Sequence, residues 1–201
     1  MLTTEVGNIW RIRHTRKDVG VAIVVAVALL MGWLMREYVE TRAEWFIERG
    51  TAFRIAYPVT WSESISLQSD ALLKIEDAEA NSTFKTSLTI QRRDLDMVAP
   101  PTIQTLLDRR VEERGKLTAY HFLGNHDLTL AGAKAVELNY AYVAQPIDQP
   151  RRASLPVVVQ VRDIIIVGKD RSYYLTLAAA QNEYERASEK FDQMLTTLQV
   201  D

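Results

Sequence analysis

The apolar pattern opens with an uninterrupted run, VGVAIVVAVALLMGWLM from Val19 to Met35, set between Arg16-Lys17-Asp18 and Arg36-Glu37. A segment apolar on every face and charged only at its ends has no polar side to offer water. It therefore predicts a membrane-spanning helix over residues 18–36 and not a buried soluble helix. At about 1.5 Å per residue the run reaches roughly 26 Å, the short end of what spans a bilayer, and snorkelling by Lys17 and Arg36 supplies the rest. Ala26-Val27-Ala28 has the small-residue pattern of a signal-peptidase site, but it lies inside the run. Cleavage there would leave Leu29 to Met35 as an exposed apolar end, so an uncleaved signal anchor is expected. The next stretch, REYVETRAEWFIER from Arg36 to Arg49, has no Gly or Pro and is rich in helix formers. It predicts a helical stalk over 37–50 that Gly50 stops, with Trp45, Phe46 and Ile47 packed on the domain or on a partner.

Past Gly50 the period becomes that of strands. Thr51 to Tyr57 alternates Phe53, Ile55 and Tyr57 with Arg54 and Ala56, and Pro58 ends the strand. Leu72 to Ile75 and Phe84 to Arg92 predict two more strands around a hairpin loop at Asp77 to Thr83. After Pro100-Pro101-Thr102, Ile103, Leu106, Leu107 and Val111 recur at helical spacing, with Arg109, Arg110, Glu112 and Glu113 assigned to the opposite side, up to Gly115. Tyr120 to Leu130, a tight turn at Ala131-Gly132 and Lys134 to Val143 predict a meander. A loop from Ala144 to Pro156 leads into Val157 to Val167, a turn at Gly168-Lys169-Asp170, and Arg171 to Ala179. A last helix starts near Asn182, with Tyr184, Ala187, Phe191, Met194, Leu195 and Leu198 on one stripe. The order describes an α+β fold: a central antiparallel β-sheet covered by helices, in one domain over 51–201, preceded by one transmembrane helix. Trp61, Phe191, Leu195 and Leu198 are expected in its core.

Charge sets the orientation. Arg11, Arg13, Arg16 and Lys17 precede the apolar run, whereas acids and bases mix after it, which places the tail 1–17 in the cytoplasm and the domain outside, as a single-pass protein of the cell membrane. Trp10, Trp33 and Tyr38 stand where interfacial aromatics gather. An apolar share of 47% and a charged share of 25% are ordinary for a globular domain, and a net charge of −2 points to no nucleic acid partner. Absence of cysteine excludes disulfides, thiolate nucleophiles, cysteine-ligated zinc, iron–sulfur clusters and a lipoprotein anchor.

Candidate chemistry is sparse. His121 and His126, with Asp127, are the histidines beyond the anchor; five residues apart on a strand, their rings are expected on opposite faces. Asp94 and Asp96 are a candidate calcium pair or a solvated loop, and Asn81-Ser82-Thr83 matches a glycosylation acceptor. Arg92-Arg93, Arg109-Arg110 and Arg151-Arg152 are candidates for a cationic patch meeting a partner or lipid headgroups, with solvated surface pairs as the alternative. In the apolar run, Ala22 and Ala26 share one helix face and Ala28 and Gly32 another, a small-residue spacing that suits close helix contact. No phosphate loop, zinc motif or nucleophile elbow is present, so no catalytic, metal or cofactor-binding residue is assigned.

Three segments resemble one family: FRIAYPVTW (Phe53 to Trp61), LTLAGAKAVELNYAY (Leu128 to Tyr142), and VVVQVRDIIIVGKDRSYYLTLAA (Val157 to Ala179) followed by an amphipathic helix. Together they are similar to the PsbP-like family, over essentially Thr51 to Gln199. The resemblance implies an α/β/α sandwich and a role without a shared reaction. That role is a non-enzymatic accessory or assembly subunit of a larger membrane complex, such as a bacterial photosynthetic or respiratory electron-transfer complex. Its subunits and the lipid bilayer would be the partners. A tethered extracytoplasmic domain that binds a ligand or lipid is the alternative.

Overall fold

The computed structural model describes residues 16–40, 42–64, 70–145 and 155–200, with backbone alone at 16–18 and 36–40. The chain divides into two compact units, one ending at Thr41 and the other beginning at Arg42. The first contains α1, a 25-residue helix over Arg16–Glu40. Its large apolar side chains from Val19 to Met35 are each 50% to 70% exposed. Among the residues described, no helix is long and apolar enough to cross a membrane.

The expected stalk over 37–50 is corrected. Helix α1 stops at Glu40, and Ala43–Ile47 is a strand, β1, paired antiparallel with β2 (Arg54–Pro58) so that Phe46 stands opposite Ile55. Pairing decides here over helix propensity: Phe46 is half-buried against the Phe53 ring at 6.4 Å, while Trp45 and Ile47, expected to pack with it, stay 50% and 61% exposed.

Seven strands form the main sheet: β3 (Trp61–Glu63), β4 (Ala71–Asp77), β5 (Ser87–Asp94), β6 (His121–Leu130), β7 (Ala133–Ala144), β8 (Val157–Val167) and β9 (Arg171–Ala180). Their order across the sheet is β3-β4-β5-β9-β8-β7-β6, antiparallel throughout. The β6–β7 turn uses φ values of 51° at Ala131 and 81° at Gly132. Both central residues are thus in the left-handed region that a two-residue hairpin with native twist demands.

Each face of the sheet has its own core. On one side α3 (Tyr184–Thr196) and the β1–β2 ribbon cover Ile75, Leu88, Ile164, Ile166, Leu175 and Leu177. Phe53 stacks on Tyr173 with ring centres 4.3 Å apart. Trp61, Phe191 and Leu198 are buried there and Leu195 half-buried, and loss of the fully buried Phe191 ring is worth about 3–5 kcal/mol. On the other side α2 (Ile103–Arg114) lays Leu106 and Leu107 on Val136, Leu138, Val159, Val161 and Ile165. The Thr102 hydroxyl caps α2 by accepting from the Thr105 amide at 3.1 Å. The result is a sandwich with helices on both faces of a central antiparallel sheet.

Candidate functional site: a cavity beside the C-terminal end of α2

Strand alternation decides which side chains meet α2. Gln91 of β5, Tyr174 and Thr176 of β9, Asp163 of β8 and Tyr140 of β7 all project to its side, as the paired positions Gln91↔Tyr174 and Asp163↔Thr176 require. Arg110 reaches down among them. Its Nε donates to Asp163 Oδ2 at 2.6 Å, and its Nη2 donates to Gln91 Oε1 at 3.1 Å, Thr176 Oγ1 at 2.9 Å and Asp163 Oδ1 at 3.3 Å. The Tyr174 ring lies against the same guanidinium, 4.9 Å from its centre. Burial favours the neutral form of Arg110, but the Asp163 charge and hydrogen bond outweigh it and hold the proton more firmly than usual.

Next to this network, around Arg114 and Leu117 at the C-terminal end of α2, lies a cavity of about 390 Å³. Apolar walls come from Phe84, Leu117 and Val161, and polar positions from Ser87, Thr89, Gln91 and Thr176. Tyr140, Tyr142 and Lys74 also line it. Burial raises both tyrosine pKa values, Asp163 adding to the effect at Tyr140 and Arg114 opposing it at both, so each phenol keeps its proton. Arg114 is different from its neighbours. Its Nε is buried without a hydrogen-bond partner, and the nearest acid oxygen, Asp163 Oδ2, is 3.7 Å away. Tyr120, whose ring centre is 5.4 Å from that of Tyr140, also has a buried hydroxyl with no partner.

Apart from Arg110, the residues singled out by sequence are placed outside this network. Arg92 and Arg93 leave β5 on opposite faces. Arg92 is bound to the buried Glu48 at 2.5 Å, and Arg93 donates twice to Glu113 at 2.7 and 3.2 Å. Arg110 is not opposite the apolar stripe of α2 but on it, whereas Arg109 is exposed. Arg151 and Arg152 lie outside the described residues. The expectation that His121 and His126 face apart is corrected. An irregularity between Phe122 and Gly124 adds one residue to β6, so His121 pairs with Ala141 and His126 with Glu137, four residues apart on β7 and therefore on one face. They remain too distant along the strand to share a ligand, at about 3.4 Å per residue. Asp96 accepts from the Val98 and Ala99 amides and Asp94 is exposed. Among the described residues no cluster of three or more metal-ligating side chains occurs. The Asn81 and Ser82 amides are pinned to Glu183 Oε1 at 2.8 and 3.1 Å.

Sequence reasoning set Arg110 in a cationic patch on the polar side of α2, and it missed Arg114 and Asp163. A signal was present: Arg110 falls three and four residues after Leu107 and Leu106, and Asp163 interrupts the most β-branched strand of the chain. A charge in such a position needs a partner.

Solved structures with this arrangement decide the fold. LpqN of Mycobacterium tuberculosis, described as involved in cell envelope biogenesis, matches with a TM-score of 0.59 at 12% identity, covering 82% of this chain and 95% of that one. The cyanobacterial PsbP (CyanoP) of Synechocystis matches at 0.55 and 9%, covering 79% and 92%. The fold is PsbP-like. A Pseudomonas aeruginosa protein of unknown function shares it at 0.51 and 16%, covering 78% and 96%. No protein-family model and no curated protein matches the sequence. At such identities the likeness of the PsbP-like domain extends to its fold alone.

Proposed function

We propose that the chain is a membrane-anchored, non-enzymatic accessory or assembly module, with α1 in the cell membrane, the N-terminus in the cytoplasm and the PsbP-like domain outside. The observation that carries this reading is α1 itself, whose uncharged, exposed side chains from Val19 to Met35 have no polar face to turn to water. Taken alone, the described part of α1 falls short of a membrane span. Flanking Lys17 and Arg36 add to it, and their snorkelling, with bilayer thinning, brings the apolar run to the lower end of the about 17 to 25 residues that membrane helices use. CyanoP and LpqN lend an analogy of fold: one is named as a PsbP and the other for cell envelope biogenesis. A photosynthetic or respiratory complex is the host that the PsbP resemblance favours. Blue-native electrophoresis of native membranes tests the proposal: co-migration with a large complex supports it, and migration as a small species contradicts it.

A second reading is favoured by one feature, the cavity beside Arg114. In it the PsbP-like domain binds a small ligand between sheet and helix, and α1 only localises it. The volume falls at the low end of the about 300–1,000 Å³ common for ligand sites.

A further inference from the structure

We propose that the cavity beside the C-terminal end of α2 binds a small organic monocarboxylate, with Arg114 holding the carboxylate. The inference rests on the second reading above and names the ligand class that the site selects.

Charge accounting around the cavity leads to Arg114. Asp163 is fully committed: Oδ2 accepts from Arg110 at 2.6 Å, and Oδ1 accepts from Thr176 at 3.0 Å and Arg110 at 3.3 Å. Glu113 is held by Arg93, and Lys74 is paired with Glu76 at 2.8 Å. Arg114 is left with one long contact of 3.7 Å to an oxygen that already has a stronger donor. Its side chain is only 27% exposed, so water cannot fully solvate it, and its Nε is buried and unbonded. A planar guanidinium in this condition presents the fork that a carboxylate fills with two parallel hydrogen bonds.

The rest of the lining fixes the class more closely. Arg93 is shared between Asp70 and Glu113 and Arg110 is paired with Asp163, so the one guanidinium fork left open, that of Arg114, takes a single carboxylate. A phosphate dianion would bring a second, uncompensated charge close to buried Asp163, which a low-dielectric site penalises. Phe84 and Leu117 receive an apolar body, while Thr89, Ser87 and the protonated Tyr142 phenol offer hydrogen bonds to a hydroxyl or amide on it.

Nuclear magnetic resonance of the full chain in detergent micelles tests this through the Arg114 Nε–Hε signal. The probes are benzoate, cinnamate and hexanoate, each beside its primary amide, together with inorganic phosphate, up to about 20 mM, a range that reaches fragment-sized affinities. At least one carboxylate is expected to shift the Arg114 signal saturably and to bind about tenfold or more tightly than its amide, since a charge-assisted pair is replaced by a neutral one. Arg114→Gln is expected to erase the acid-over-amide preference and Arg114→Lys to keep part of it. If acids and amides shift the lining equally, the cavity is a ligand site and the carboxylate inference falls alone. Phosphate binding more tightly than every carboxylate likewise overturns the inference. If no probe moves any lining signal of the folded protein, both the inference and the second reading fall.

Discussion

Arg110 and Asp163 meet across the interface of α2 and β8, 2.6 Å apart with side chains only 2% and 0% exposed. Taking both charges out of water costs several kcal/mol each, and only a geometry that satisfies every lone pair offsets it. Gln91 and Thr176 complete that geometry. Asp163→Ala is expected to lower stability by about 3–5 kcal/mol in urea unfolding, because it strands the Arg110 charge. The double replacement Arg110→Met, Asp163→Leu should recover most of that loss. Additive losses in the double variant would mean that the two side chains do not act as a pair.

Glu113 supplies a pH dependence. Burial pushes its carboxyl up, but the Arg93 hydrogen bond and the charges of Arg93 and Arg110 bring it below the usual carboxylate range. A carboxylate with a depressed folded value binds fewer protons when folded than when unfolded. It therefore stabilises above its unfolded value of about 4.3, and this contribution disappears as pH falls through the lower folded value. With Glu113 40% exposed, solvent screening keeps the effect below about 1 kcal/mol. Comparing thermal melts between pH 6 and pH 3 should show a shallower acid loss for Glu113→Gln than for the wild-type chain; parallel profiles would remove Glu113 from the account.

Much of the fold was legible in the sequence because its elements repeat their own period. Val157 to Val167 is bounded as expected, and Leu106 with Leu107 marks the buried face of α2. What escaped depends on contacts that period does not encode. Trp45, Phe46 and Ile47 sit among helix formers, and their strand exists because β2 is there to pair with. The extra residue in β6 reverses the parity that separated His121 from His126. The cavity has no motif, since its lining comes from strands β4, β5, β7, β8 and β9, the end of α2 and the loop residues Phe84 and Leu117, each contributing alternate or isolated positions.

The anchoring role proposed for α1 makes its own prediction. Gly32 has nothing within 4 Å of where a Cβ would stand, so a larger residue fits within this chain, and loss of association on substitution would report an outside neighbour. Replacing Ala26 and Gly32 by leucine is expected to release the protein from its complex in detergent while leaving it in the membrane. Ala22 and Ala28, one helical turn away on the same two faces, should behave alike. Survival of the complex would assign binding to the PsbP-like domain and leave α1 as an anchor only.

Topology is the most direct test of the central claim, and the absence of native cysteine makes it clean. Single cysteines replacing Thr3 in the N-terminal tail and exposed Lys116 after α2 can be probed with a membrane-impermeant maleimide on sealed spheroplasts. The account predicts that Lys116→Cys is labelled at once and Thr3→Cys only after the membrane is permeabilised. Labelling of Thr3→Cys in sealed spheroplasts, with Lys116→Cys protected until lysis, would contradict it.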